Sequence, residues 1–134
     1  MIPSGNQILT TDLEMVTMPS KQHGMILDGN RIIATCDDLE AIKQTIFKIL
    51  NTQRYAYIIY SWNYGIELED LFGQPVRYVC PEIERRVKEA LLYDDRIMAV
   101  NNFEFDFPKR GVVAVSFTVH TIFGDLENEM VVNI

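Results

Sequence analysis

The chain has 134 residues, 48% of them apolar and 23% charged, which suits one compact domain with a real core and leaves little room for two. Its formal net charge of −7 offers no counterion-release affinity for DNA or RNA, so no nucleic-acid partner is expected; acidity favours solubility and partners with basic patches. Met1-Ile2-Pro3-Ser4-Gly5 lacks a basic start followed by an apolar run, and no stretch approaches the ~20 apolar residues of a membrane helix, so no membrane partner is expected and the chain should stay in the cytoplasm unless it leaves inside a larger particle.

Residues 1–23 read as an irregular arm, mixing Pro3, Gly5, Asn6 and Pro19 with scattered apolar residues; residues 24–134 read as a single domain. Met25-Ile26-Leu27 and Arg31-Ile32-Ile33-Ala34 flank Asp28-Gly29-Asn30, a tight-turn sequence that predicts a hairpin. A helix follows, capped by Asp37 or Asp38. Leu39, Ile42, Ile46, Ile49 and Leu50 give it one apolar face, while Glu40, Lys43, Gln44 and Lys48 fall elsewhere and should be wet. Tyr55 to Ser61 is rich in aromatic and β-branched residues, which predicts a strand or extended segment. Ile66 to Phe72 predicts a short helix ending at Gly73.

A second long helix should start near Pro81 or a turn earlier, with Ile83, Val87, Ala90 and Leu91 as its stripe. Glu84–Lys88 and Glu82–Arg86 are favourable pairs on its wet side. The last third alternates with period two: Phe103, Phe105 and Phe107, then Val113, Val115, Phe117 and Val119. After Gly124-Asp125, Leu126, Met130, Val132 and Ile134 share one face of a final strand. The expected fold is α+β, a mainly antiparallel sheet with two long helices and one short helix packed on one face. Cys36 and Cys80 have no metal spacing and read as free thiols, with one disulfide as the alternative.

Catalytic chemistry has little to stand on. His23 and His120 are the only histidines, and no HxH or HExxH spacing exists, so no metal is expected. No GxSxG elbow, P-loop or GxGxxG is present, and no cofactor is expected. Glu67, Glu69 and Asp70 lie close behind Tyr60, Trp62 and Tyr64. A glycoside hydrolase needs two carboxyls about 5–9 Å apart across a sugar cleft. Acidic residues at a helix start and aromatics in a core explain the same cluster without chemistry. Asp94-Asp95-Arg96 reads either as a polar helix-ending turn or as a recognition point carrying a guanidinium. The final strand runs to Ile134 and could lie at a sheet edge, where unpaired backbone groups invite strand addition, unless Glu127, Glu129 and Asn133 shield it.

The order of these pieces resembles the baseplate wedge or sheath-initiator family of contractile tails, found in myophages, phage-like bacteriocins, defective prophages and type VI secretion systems. The similarity spans residues 24 to 134 and is greatest to the branch from defective prophages of Gram-positive bacteria. It is carried by Asp38-Leu39-Glu40-Ala41-Ile42, Tyr60-Ser61-Trp62-Asn63-Tyr64-Gly65, Asp70-Leu71-Phe72-Gly73, Glu84-Arg85-Arg86-Val87 and Asp94-Asp95-Arg96-Ile97. Where the family has Glu-Pro-Arg after the second long helix, this chain has Asp94, Asp95 and Arg96: the charges match and the proline does not. The resemblance implies a non-catalytic baseplate subunit. It implies that Asp94 to Arg96 touch other wedge proteins. It also implies that tail sheath subunits add strands to the sheet, with Leu126, Asn128, Met130, Val132 and Ile134 on the contacting strand and the N-terminal hairpin as the other candidate edge. Tube or hub proteins are further implied partners, and the implied location is the host bacterial cytoplasm, then the tail baseplate. The family has also been described as lysozyme-like, which makes a peptidoglycan glycoside hydrolase the alternative function.

Overall fold

The structure is a computed structural model describing residues 20–26, 29 and 31–134, with the backbone alone for Ile33. The expected arm, as far as residue 19, and the turn residues Asp28 and Asn30 lie outside the described residues. Two antiparallel strands, β1 (Gln22–Ile26) and β2 (Arg31–Cys36), form a ribbon. Helix α1 (Asp38–Leu50) and helix α2 (Val76–Leu92) follow, with one 3-10 turn at Glu69–Leu71 between them. Strands β3 (Ile97–Lys109), β4 (Val112–Thr121) and β5 (Gly124–Asn133) make a second antiparallel sheet in the order β3-β4-β5. The α+β class expected from periodicity is the class observed.

The core lies between the helices and one face of the three-stranded sheet. Ile42, Ile46 and Ile49 from α1 and Val79, Ile83, Val87 and Leu91 from α2 meet Val100, Val113, Val115, Phe117, Val119 and Val132. Alternation along β4 produces this directly, because every second side chain points at the helices. Strand β3 needs an adjustment. Val100 faces in, yet so do Phe103 and Phe105, an odd step that a uniform strand cannot make. A register shift between Asn101 and Glu104 supplies the extra residue, and Asn102 takes φ 56 within it. Phe103 then stacks on Phe117 with ring centroids 5.4 Å apart. Phe107 keeps the expected phase but lies past the helices and is exposed.

Three expectations need correction. First, of the two expected starts it is the earlier one, by slightly more than a turn, that is found: α2 starts at Val76, with Pro75 as its cap, so Pro81 sits inside the helix. An interior proline costs ~3 kcal/mol. The earlier turn brings Val79, fully buried, onto the Ile83–Val87 stripe, and that burial offsets the cost. Second, the expected strand at 55–61 is a run of turns. Among the described residues its Tyr and Ile residues find no partner strand, and they are exposed, so the β-favouring composition serves a surface. Third, Gln44 and Lys48 are not wet; both are half-buried and bonded to the ribbon. Cys36 and Cys80 are both free thiols, and burial pushes the Cys80 thiol up.

The long α1–α2 connection is closed at its neck. Ile66 N–H donates to Thr52 O at 2.9 Å and Arg54 N–H to Ile66 O at 3.1 Å. Gly65 makes this possible: it has φ +93, and a Cβ there would lie 2.5 Å from Thr52 O. Gly65→Ala should therefore destabilise the fold by about 1–3 kcal/mol. Urea denaturation checks this, and an unchanged midpoint would contradict the neck's role.

Candidate partner-binding surfaces

Strand β5 pairs with β4 without a break from Gly124 to Asn133. Its other edge meets no strand among the described residues. Ile134 N–H donates to Gly111 O at 2.7 Å. Hydrogen-bonded pairs alternate along an antiparallel ladder, so the backbone groups of Val132, Met130, Asn128 and Leu126 are also turned to β4. The N–H and C=O groups of Asp125, Glu127, Glu129, Val131 and Asn133 are left facing outward. The side chains of the contact residues implied by the resemblance, Leu126, Asn128, Met130, Val132 and Ile134, sit on the helix-facing side and are partly or wholly buried. The two sets divide the work of one strand: the first holds the free backbone groups, the second the apolar lining.

That free edge borders a groove of about 990 Å³. Its floor is α1, with Lys43, Gln44 and Phe47, and its far wall is the ribbon, at Gly24, Met25 and Ile26. Strand β5 contributes Glu127 to Val131. The charged lining residues are Glu40, Glu127 and Glu129 against Lys43 alone.

The α2–β3 turn holds the other candidate residues. Arg96 grips Asp94 with two side-chain bonds, Nε to Oδ1 at 2.9 Å and Nη2 to Oδ2 at 2.7 Å. Asp94 Oδ1 also accepts from Arg96 N–H at 3.0 Å. Both side chains are mostly buried, 20% and 14% exposed. The Arg96 hydrogen bonds hold the Asp94 carboxyl below the usual carboxylate range against the opposing push of burial. Arg96 Nη2 reaches Thr45 Oγ1 on α1 at 3.4 Å, and Arg96 O accepts from Ile122 N–H at 3.1 Å. Arg96 thus ties three elements: its guanidinium joins the end of α2 to α1, and its backbone carbonyl holds the β4–β5 turn. Asp95 is exposed and leaves its carboxylate at the surface.

A third surface was missed in the sequence because its residues looked like a strand. Above the neck, Ile58 and Ile59 stand almost entirely in solvent and Trp62 is 79% exposed. Tyr55 lies 5.5 Å from Trp62, and Tyr60 stacks on Tyr64 at 4.4 Å. No residue from Tyr55 to Ile66 carries a charge. Below the neck, ion pairs fasten the connection to α2. Arg54, 11% exposed, bonds Glu89 at 2.9 Å. Arg86, 12% exposed, holds both oxygens of Asp70 and donates to Glu67 O at 2.7 Å.

That last contact bears on the carboxylate cluster. Asp70 is spent on Arg86, whose hydrogen bonds lower its carboxyl. A general acid of a glycosidase needs the opposite shift. Among the described residues, no group of three or more His, Cys, Asp or Glu is placed to hold a metal ion. No helix of the described residues is long and apolar enough to cross a membrane.

Residues 5–124 match the family described as the contractile injection system sheath initiator. The phage-like element PBSX protein XkdS of Bacillus subtilis (strain 168) is 48% identical over 98 residues, covering 70% of this chain and 68% of that protein. The matched span includes the α2–β3 turn and the aromatic loop, and ends at Gly124, where β5 begins.

The Asp94–Arg96 grip carries a pH signature. The folded carboxyl lies below its unfolded value. Its contribution is therefore complete above the unfolded value of about 3.9 and is lost as pH falls through the depressed folded one. Asp94→Asn should cost about 1–3 kcal/mol at neutral pH and flatten the acid limb below about pH 4. Denaturant midpoints from pH 7 to 3 test this; parallel curves for the two proteins would contradict it.

Proposed function

The chain belongs to the contractile injection system sheath-initiator family, and from that membership we propose that it seats the first ring of tail sheath on the baseplate by accepting a sheath strand along β5. Family membership makes the chain a structural, non-catalytic component of a phage-type contractile tail baseplate. The single observation that carries the finer mechanism is the outward-facing backbone of Asp125 to Asn133 beside a groove. Each outward N–H and C=O is a hydrogen-bonding group that an added strand satisfies, and the alternate side chains fix its register. The family match stops where β5 starts, so the assignment of β5 rests on this geometry.

The groove specifies the strand that fits it. Its floor is apolar at Ile46, Phe47 and Leu50, with Met130 on the β5 side. Its outer rim carries Glu127 and Glu129. A sheath segment with apolar residues turned inward and Lys or Arg turned outward is complementary to both. The molecule assembles in the host cytoplasm, in several copies around the baseplate, with other wedge proteins at the α2–β3 turn and with tube or hub proteins as further neighbours. Arg96 is an internal tie, so its part at the wedge is to hold the turn's shape while Asp95 makes the contact.

Glu129→Pro separates pairing from folding. Proline removes an N–H that points away from β4, a position where edge strands tolerate it. The variant should fold, with a melting temperature near that of the parent, and give particles whose baseplates carry no assembled sheath in negative-stain electron microscopy. Normal sheaths on Glu129→Pro baseplates would sink the assignment. At the other site, Asp95→Lys should lower incorporation into the wedge severalfold without a stability change. Full incorporation in pull-downs of assembled baseplates would remove the turn from the interface.

A further inference from the structure

The side chain of Gln44 makes contacts that its place on α1 does not require. Its Oε1 accepts from Met25 N–H at 2.9 Å, and its Nε2 donates to His23 O at 2.6 Å. These are one donor and one acceptor on the edge of β1 that faces away from β2. A neighbouring strand would take such a pair with the C=O and N–H of one residue, which point to the same side of a strand. A glutamine amide presents an acceptor and a donor side by side on one carbon, so it can stand in for that residue's backbone pair. Gln44 and Met25 line the same groove as Glu127 to Val131. The groove therefore has a pairing edge on each long side, one open on β5 and one covered on β1.

We propose that β1 is a second strand-accepting edge, masked by the Gln44 amide, and that the extended segment entering the groove displaces this amide and pairs with β5 and β1 together. The ribbon and the three-stranded sheet then become one continuous sheet with the partner strand between them. This rests on β5 accepting a strand and adds the second edge and its mask.

Two features fit the mask. A two-stranded ribbon is marginal by itself, so something must hold it beside α1 before the partner arrives. Gln22 gives the ribbon a separate tether, its Nε2 donating to Ala41 O at 2.5 Å and to Thr45 Oγ1 at 3.2 Å, with Lys48 Nζ donating to its Oε1 at 3.3 Å. The ribbon stays attached there when Gln44 lets go. The partner is an extended segment of the sheath subunit, with basic side chains outward against Glu40, Glu127 and Glu129 and no proline where its N–H must reach either edge.

Hydrogen exchange on the full chain, with and without the purified sheath subunit of the same particle, tests this. Gln44→Ala alone should speed exchange of the Met25 amide by up to about tenfold. Gln44→Glu keeps the acceptor and loses the donor, so it should leave the Met25 amide protected, and it guards against a folding defect in the alanine variant. Adding sheath subunit to Gln44→Ala should restore Met25 protection together with protection of Glu127, Glu129 and Val131, and at a rate severalfold above the parent's. If those β5 amides become protected while Met25 stays fast, or if the rate is unchanged, the masked edge is wrong and strand addition at β5 stands. If sheath subunit protects no β5 amide, strand addition fails and the masked edge falls with it.

Discussion

A strand at the edge of a sheet has half of its backbone hydrogen-bonding groups turned to a neighbour and half turned away. In β5 that division falls cleanly, because pairing with β4 runs unbroken and Ile134 fixes its phase through Gly111. The core depends on the inward half. Val132 is buried and Leu126, Met130 and Ile134 pack against the cluster, so the strand cannot leave or slip by one residue without turning its apolar side chains to water. The outward half is then fixed as well. Long free edges invite aggregation, and here Glu127 and Glu129 put like charge beside the edge, which repels a second copy of the same acidic strand while favouring a basic one.

The connection between the helices obeys a related logic with side chains. A segment of this length with almost no regular structure is usually functional when it is ordered. Its order comes from two nearly buried arginines, Arg54 and Arg86, which fasten it to Glu89 and Asp70. Glu82, Arg85 and Glu89 extend these pairs along α2. Exposed pairs on one helix contribute only about 0.2–0.5 kcal/mol each, but Arg54 and Arg86 join elements distant in sequence. They hold the neck, and the neck presents Ile58, Ile59 and Trp62 to solvent. A cluster of uncharged aromatic and aliphatic side chains outside the core has the composition of an interaction surface.

Much of this was legible in the sequence where one physical term dominated. Helix α1 followed from apolar spacing and the Asp37 cap, and β4 from strict alternation between Val113 and Val119. The pairs Glu82–Arg86 and Glu84–Lys88 formed as spacing required. The misplaced features arose where terms compete. Pro81 marks a helix start by local preference, yet burial of Val79 carries the helix through it. Tyr55 to Ser61 has strand composition, but a strand needs a neighbour and it pairs with none among the described residues. The bulge at Asn102 is visible in retrospect as the odd step between Val100 and Phe103. Gln44 left no pattern at all: its role comes from a ribbon folded over α1, and only tertiary contacts place it there. The candidate strand at the chain's end was legible as an edge, whereas the identity of its outward backbone groups required the register with β4.

The most direct measurement is a cryo-electron microscopy map of the junction between baseplate and first sheath ring, at a resolution that separates strands. Sheath seating through β5 requires continuous density for an extended sheath segment about 4.8 Å from β5, in register with Asp125 to Asn133. A first sheath ring held by other surfaces, with the β5 groove empty, would contradict it.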